Sequence, residues 1–218
     1  MKLGYLGYGT GTHRPFDQVF PSSEKITPET VANVDALIIW GGEDICTAFY
    51  NEDGGVWTGA DRVPTRRDKV EMDAVQAAID LGKPIIGVCR GAQLLCAAAG
   101  GKLIQHVNGH NRGDHAVLTQ DGRTITTTSV HHQMMWPYVD GVEYNLLAWS
   151  KSPQATVYNF KAGDERFIIH NPEPEVVWFP KIKGLAIQGH PEFMSPGDEF
   201  VSYCMELTRE FVVSCVTQ

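Results

Sequence analysis

The sequence has no run approaching the roughly 20 consecutive apolar residues that a membrane-spanning helix needs, so no membrane partner is expected. No signal peptide is expected, because Met1-Lys2 leads straight into Leu3-Gly4-Tyr5-Leu6-Gly7, which reads as a first core strand. Basic residues are in deficit. The 18 Lys and Arg against 26 Asp and Glu leave a net charge of −8, scattered along the chain, which argues for solubility and against nucleic acid as a partner. Cysteine is sparse and unpaired. Cys46, Cys89, Cys96, Cys204 and Cys215 are odd in number and contain no Cys-x-x-Cys, which excludes a disulfide framework and fits a reduced, cytoplasmic protein. There is no internal repeat, low-complexity tract or linker, so residues 1–218 are expected to form one domain. The glycine-rich turn Gly7–Gly11 lacks Gly-x-Gly-x-x-Gly spacing and no clear helix follows it, which sets a dinucleotide site aside. His106, His110, Asp114, His115, His131 and His132 match no zinc-binding spacing such as His-Glu-x-x-His, so neither a metal nor a cofactor is expected.

What the chain does have is concentrated in Pro84–Gln93. Ile85, Ile86 and Val88 form a short, β-branched apolar run suited to a strand buried on both faces. Gly87 and Gly91 stand two residues either side of Cys89. Ala92–Ala99 then reads as a helix closed by Gly100-Gly101. Strand, sharp turn and helix with Gly-x-Cys-x-Gly at the turn is the cysteine form of a nucleophile elbow, in which small neighbours permit the strained backbone that pushes the side chain out. The helix N-terminus behind Cys89 stabilises negative charge on sulfur.

Along the chain, Leu3–Tyr8 and Asp35–Trp40 read as strands, with a further short strand near Val19-Phe20. Pro28–Asn33 reads as a helical turn, and Asn51–Pro64 as an exposed loop over the site. Arg66–Leu81 is a helix with Val70, Ala74, Ala77 and Ala78 at helical spacing, stopped by Gly82-Lys83-Pro84. Strand, helix, strand in this order implies a right-handed crossover in a mainly parallel sheet. Lys102–Ile104 begins a region of short segments. His115–Thr119 and Arg123–Thr127 form a hairpin around Gln120-Asp121-Gly122. Leu146–Trp149, Ala155–Tyr158 and Val176–Phe179 are further strands, and Leu185–Gln188 is the last core strand. Ser195 is expected to cap a C-terminal helix whose apolar face is Phe200, Tyr203, Cys204, Leu207 and Phe211.

A nucleophilic cysteine needs a base, and the base an orienting group. The segment Gln188-Gly189-His190-Pro191-Glu192 directly follows the last core strand. Pro191 keeps His190 out of a helix, and residues two apart in an extended chain face the same way, so the Glu192 carboxylate can fix the His190 tautomer.

At this point the residues resemble a family. Gly87–Gln93 together with Gln188–Glu192 resembles the class I glutamine amidotransferase superfamily, and the likeness is nearest to its γ-glutamyl hydrolase, peptidase C26-like branch. Gly41-Gly42-Glu43-Asp44-Ile45 with Tyr50 and Glu52, Asp68 and Glu71, Gly100-Gly101-Lys102-Leu103, and Ser129-Val130-His131-His132-Gln133 are each similar to stretches of that branch. The resemblance implies a three-layer, flavodoxin-like α/β domain. Its mostly parallel central sheet carries helices on both faces, with short antiparallel hairpin elements added. It also implies Cys89 as nucleophile, His190 as base and Glu192 as orienter. The oxyanion hole would be made by the Arg90 backbone N–H and one from Gly41 or Gly42, and Gln93, Val130, His131 and His132 would hold the glutamyl moiety. The chain departs from the branch at Thr47, Thr128 and Gly189, and Asn108–Asp114 has no counterpart. Gly189, lacking a side chain, is expected to leave room for a leaving group larger than ammonia.

The expected activity is hydrolysis of the γ-glutamyl amide bond of a γ-glutamyl amine or glutamine through a thioester on Cys89. The alternative is a glutaminase subunit delivering ammonia to a separate synthetase, and a third reading is a catalytically silent binding module of the same fold. The expected partner is thus a small γ-glutamyl compound or glutamine. A homodimer, and a synthetase under the alternative, remain open.

Overall fold

The computed structural model describes residues 1–9, 13–111, 113–160 and 170–217. Thr10, Gly11 and Thr12 of the glycine-rich turn, and Arg112 within the segment without a counterpart, lie outside the described residues.

The first half alternates strand and helix. β1 (Lys2–Tyr5), β2 (Ser22–Lys25) and β3 (Ala36–Ile39) are followed by α1 (Arg66–Asp80), β4 (Ile85–Val88) and α2 (Arg90–Ala98). Short strands come next: β5 (Lys102–Ile104), β6 (His106–Val107), β7 (His115–Thr119), β8 (Thr124–Thr127), β9 (Met134–Trp136), β10 (Asn145–Ser150) and β11 (Tyr158–Asn159). The chain then forms β12 (Pro174–Phe179), β13 (Gly184–Ile187) and α3 (Glu199–Leu207), which runs on into a π-helical turn over Thr208–Val213.

Among the described residues, nine strands form one sheet in the order β2-β1-β3-β4-β13-β12-β10-β7-β8. The pairings from β2 through β13 are parallel, and those from β13 through β8 are antiparallel. Seven of the nine strands therefore point the same way, with β12 and β7 reversed.

Strand pleating sorts the central side chains between two cores. Ile38, Ile86, Val88, Leu185 and Ile187 face Phe200, Tyr203, Cys204 and Leu207 of α3. Leu37, Ile39, Ile85, Val177 and Ala186 face Ala74, Val75 and Ala78 of α1 and Leu94 and Leu95 of α2. The result is three layers, helix on sheet on helix. Because β4 sits mid-sheet, the loop after it opens where the crossovers meet, the usual place for a site in such sheets. No helix among the described residues is long and apolar enough to cross a membrane.

Several sequence expectations are corrected. The strand expected near Val19-Phe20 lies instead at Ser22–Lys25, preceded by a 3-10 turn at Phe16–Gln18. It is an edge strand, so one flank is solvent and its Ser-Ser-Glu-Lys sequence carries no apolar signal. The strand expected at Ala155–Tyr158 is reduced to Tyr158–Asn159. The α3 cap is Asp198 rather than Ser195, and the Ser195 N–H donates to the Asp198 carboxylate at 2.8 Å. On α1 the buried face is Asp68, Glu71, Ala74, Val75 and Ala78, whereas Val70 and Ala77 are half-buried. Two acids have turned inward there, for a reason given by the site.

Candidate active site

Cys89 is the N-cap of α2 and, among the described residues, one of three non-glycine residues with positive φ, at φ 51° and ψ −105°. A strained backbone of this kind costs about 1–3 kcal/mol and persists only where the surroundings enforce it. Here the Cys89 N–H donates to the Ile187 carbonyl at 2.8 Å, and its own carbonyl accepts from the Gln93 N–H at 3.1 Å. The flanking glycines are required by close approach. A Cβ at Gly91 would lie 2.1 Å from the Ile39 carbonyl oxygen, and one at Gly87 would lie 2.5 Å from the Gly91 carbonyl. The helix can pack this tightly under β3 and β4 only without those side chains.

His190 follows β13, the parallel neighbour of the elbow strand. Its Nδ1–H donates to Glu192 Oε1 at 2.8 Å. The two meet as expected, but the geometry differs: Glu192 lies in a 3-10 turn over Pro191–Phe193 rather than in extended chain. Burial works against charge on His190, yet its hydrogen bonds to Cys89 and Glu192 outweigh it and lift the imidazole to about 10. Gly41 marks how close the three segments come, since a Cβ there would lie 2.7 Å from His190 Cε1 and 3.5 Å from Cys89 Cβ. The structure thus brings together Cys89, His190, Glu192 and Gly41. Arg90 is the first residue of α2, and the N–H at that position has no partner within the helix.

The Arg90 side chain has a second task that sequence reasoning missed. It is buried beneath the elbow, where Nη2 donates to Asp68 Oδ1 at 2.6 Å and Nη1 to Glu71 Oε2. Glu71 also accepts from Arg67 Nε at 2.8 Å, and Arg67 Nη2 donates to the Gly41 carbonyl at 2.9 Å. Burial pulls the Arg90 guanidinium down to about 10, and the Arg67 charge adds to that. The inward-facing Asp68 and Glu71, three apart on α1, are the sequence signal that could have found this network.

The four residues expected to hold the glutamyl group fall in two places. Gln93 is buried and donates to the Gln133 carbonyl at 3.1 Å, which ties α2 to the 129–133 segment. Val130 is exposed. His131 is buried and donates through Nδ1 to the Gln133 carbonyl at 2.8 Å. Burial, reinforced by the nearby His110, holds its imidazole well below the ordinary value. His132 is half-buried and donates from Nε2 to Asp44 Oδ1 at 3.0 Å, and that bond raises its imidazole. Asp44 also accepts from the Gly59 N–H at 2.7 Å, and Trp57 stacks on His106 at 4.9 Å, so the loop at 51–64 is fastened beside the His132 segment.

The departures from the branch pattern now have places. Thr128 Oγ1 accepts from the His190 N–H at 2.7 Å and so supports the histidine backbone directly. Thr47 is fully buried, and its N–H donates to the Asp61 carbonyl at 2.9 Å. The expectation for Gly189 is overturned. A Cβ there would lie 2.2 Å from Thr127 Oγ1 and 3.3 Å from Phe200 Cε1, so the missing side chain makes room for internal packing and not for a leaving group.

The family model described as Peptidase C26 matches residues 18–135, more than half of the 218-residue chain. The chain belongs to the Peptidase C26 family. Within it, Cys89 and the Gly41 turn lie inside the matched span and His190 beyond it. A glutamine amidotransferase-like protein of Lactococcus lactis, YvdE, is 37% identical over 75 residues, which are 34% of this chain and 31% of that protein. The carbamoyl phosphate synthase small chain of Maricaulis maris is 26% identical over 149 residues, 68% of this chain and 34% of that one. The chain spans only about a third of the length of the curated relatives it matches. Among solved structures, a glutamine amidotransferase from Thermotoga maritima superposes with a TM-score of 0.54 at 13% identity, covering 98% of this chain and 89% of that one. PurLQS from the same organism gives a TM-score of 0.57 at 15% identity, covering 94% and 98%. These similarities establish a class I glutamine amidotransferase-like fold for this C26 chain.

Proposed function

We propose that the chain is a cysteine hydrolase that cleaves the γ-glutamyl amide bond of a γ-glutamyl amine or of glutamine. The observation that carries this reading is that Cys89, on a strained strand-to-helix turn, and His190 meet beside Gly41 while His190 Nδ1 bonds Glu192 at 2.8 Å. Such a series supplies a nucleophile, an acid–base and an orienter in reach of one another.

The Cys89 thiolate attacks the γ-carbonyl carbon, and the oxyanion is held by the Arg90 N–H and one from Gly41-Gly42. The C–N bond breaks as His190 gives its proton to the departing amine, leaving a γ-glutamyl thioester. Acylation removes the negative sulfur that helps to raise the His190 imidazole, so in the second half His190 more readily takes a proton from water. Water adds to the thioester, the C–S bond breaks, and glutamate and Cys89 are released. Glu192 holds the imidazole throughout. Gln93 and the Val130–His132 stretch flank the glutamyl moiety.

A second reading is favoured by one observation, the match to a carbamoyl phosphate synthase small chain over 68% of this chain. In that reading the same thioester chemistry acts on glutamine, and ammonia passes to a separate synthetase. Steady-state glutamate release by the purified chain, from glutamine and from a series of γ-glutamyl amines, separates the two. The hydrolase reading expects turnover of a γ-glutamyl amine by the chain alone. Turnover restricted to glutamine, and dependent on an added partner, supports the amidotransferase.

A further inference from the structure

A second buried polar cluster lies on the antiparallel half of the sheet. Three adjacent strands supply it: His115 from β7, Ser150 from β10 and Glu175 from β12. His110 joins them from the segment before β7. His115 Nε2 lies 2.8 Å from Glu175 Oε1, and His110 Nδ1 lies 3.7 Å from the same oxygen. One nitrogen or oxygen from each of His110, His115 and Glu175 falls within 4.8 Å of the others. Behind them, His110 Nε2 lies 3.2 Å from Glu173 Oε2. His110 and Glu175 are fully buried, and His115 is 8% exposed.

The reaction proposed above uses none of these groups, and protein hydrogen bonds satisfy them only in part: His115 Nε2 bonds Glu175 Oε1 and Ser129 Oγ lies 3.2 Å from His110 Nδ1. Glu173 is well used, accepting from the N–H groups of Gln154 and Ala155 and from the Tyr158 hydroxyl. Glu175 Oε1 accepts from Ser150 Oγ at 3.2 Å, but Oε2 is buried with no partner, as is His115 Nδ1. A buried carboxylate oxygen without a partner is costly unless a cation meets it.

We propose that His110, His115 and Glu175 bind a divalent transition-metal ion, zinc in the first instance. Two imidazole nitrogens and a carboxylate oxygen are a donor set suited to zinc. Bonds of about 2.0–2.2 Å put tetrahedral ligands about 3.4 Å apart, so the three atoms need shifts of about an ångström. Glu173 stands where an outer carboxylate would orient the His110 ring through its other nitrogen. Ser150 Oγ, 3.2 Å from both His115 Nε2 and Glu175 Oε1, lies on the remaining side. Ser150, Tyr158 and Glu173 also line a neighbouring cavity of about 490 Å³.

The ion would anchor structure and would not take part in the thioester chemistry. Ser129 Oγ donates to the His110 carbonyl at 2.7 Å, and the His131 N–H donates to the same carbonyl at 3.0 Å. One residue earlier, Thr128 holds the His190 backbone. A metal on His110 therefore pins the 128–132 segment, which bonds the His190 backbone and carries residues assigned to the glutamyl group. The chain spacing hides this site, because its ligands are separated by up to 65 positions in sequence, from His110 to Glu175.

The test is zinc binding by the full chain after chelator treatment, followed by titration calorimetry, elemental analysis and melting midpoint. One zinc per chain and a raised midpoint are expected. The Cys89→Ala and His106→Gln variants should keep the ion, Glu175→Gln and His115→Gln should lose it, and Glu173→Gln should weaken binding about 10- to 100-fold. If the wild-type chain takes up no stoichiometric zinc and its midpoint does not move, the cluster is a proton-sharing network and the proposal is wrong. Zinc retained by the Glu175 and His115 variants but lost on Cys89→Ala places it at the elbow and is equally fatal. Should those variants not fold, the wild-type titration alone decides, and none of these readouts depends on hydrolase activity.

Discussion

The Arg90 guanidinium donates to the Asp68 carboxylate at 2.6 Å, with each side chain only 2% exposed. This pair couples the residue after the nucleophile to the helix that feeds the elbow strand. Glu71 and Arg67 extend it to the Gly41 carbonyl. One buried charge network thus reaches both sides of the site, α2 below Cys89 and the glycine turn beside His190.

Removing the shared guanidinium leaves the acids with their weaker partners only, Glu71 with Arg67 and Asp68 with Thr65. Arg90→Leu removes the cation that both buried carboxylates share and is expected to lower the unfolding free energy by about 3–5 kcal/mol in denaturant titrations at neutral pH. Adding Glu71→Gln to that variant should recover part of the loss, because the two sites are coupled. A loss below about 1 kcal/mol for Arg90→Leu contradicts the assignment.

The elbow glycines should not tolerate a methyl group. At Gly91 it would press on the Ile39 carbonyl, which is backbone in the middle of the sheet and cannot move aside. Gly91→Ala is expected to cost about 1–3 kcal/mol or more and to impair turnover. A variant with wild-type stability and activity would show that the elbow is looser than described.

His190→Asn is expected to cut kcat/KM by about 10²- to 10⁴-fold, the usual contribution of a general acid–base. Glu192→Gln should cost less, since a poorly oriented imidazole is better than none. Equal turnover of His190→Asn and wild type removes His190 from the mechanism, and a larger loss for Glu192→Gln reverses the assigned order.

The His190 imidazole also predicts a pH dependence of stability. Its folded value of about 10 lies above the ordinary 6.5, burial opposing the shift and the bonds to Cys89 and Glu192 driving it. A raised value of this kind contributes stability that is complete below about pH 6.5 and is lost as pH rises through about 10. The stability difference between wild type and His190→Asn should therefore shrink across that window. A constant difference from pH 6 to 10 is the contrary result.

Local features proved the most legible. Gly87-Val88-Cys89-Arg90-Gly91 is legible as a turn from its own small residues, since Gly87 meets Gly91 within the same five residues, although Gly91 also answers to Ile39 of β3. The hairpin at His115–Thr127 and the apolar strands Ala36–Ile39 and Gly184–Ile187 follow from pattern for the same reason. What escaped depends on distant neighbours. The edge strand Ser22–Lys25 exists because β1 offers it hydrogen bonds, not because its side chains ask for burial. Gly189 pointed inward once Thr127 and Phe200 were packed around it. Arg90 looked like an oxyanion contributor through its backbone, and its side-chain task appeared only when α1 brought Asp68 and Glu71 beneath it.

The central claim is that Cys89 carries the glutamyl group during turnover. Its direct test is to mix the purified chain with a γ-glutamyl amine that it turns over, quench in acid within the first turnovers, and map the adduct by mass spectrometry. The account predicts a γ-glutamyl thioester on the Cys89 peptide, none on Cys46, Cys96, Cys204 or Cys215, and no glutamate release from Cys89→Ala. Undiminished turnover by Cys89→Ala, or an acyl group on another cysteine with Cys89 unmodified, would contradict it.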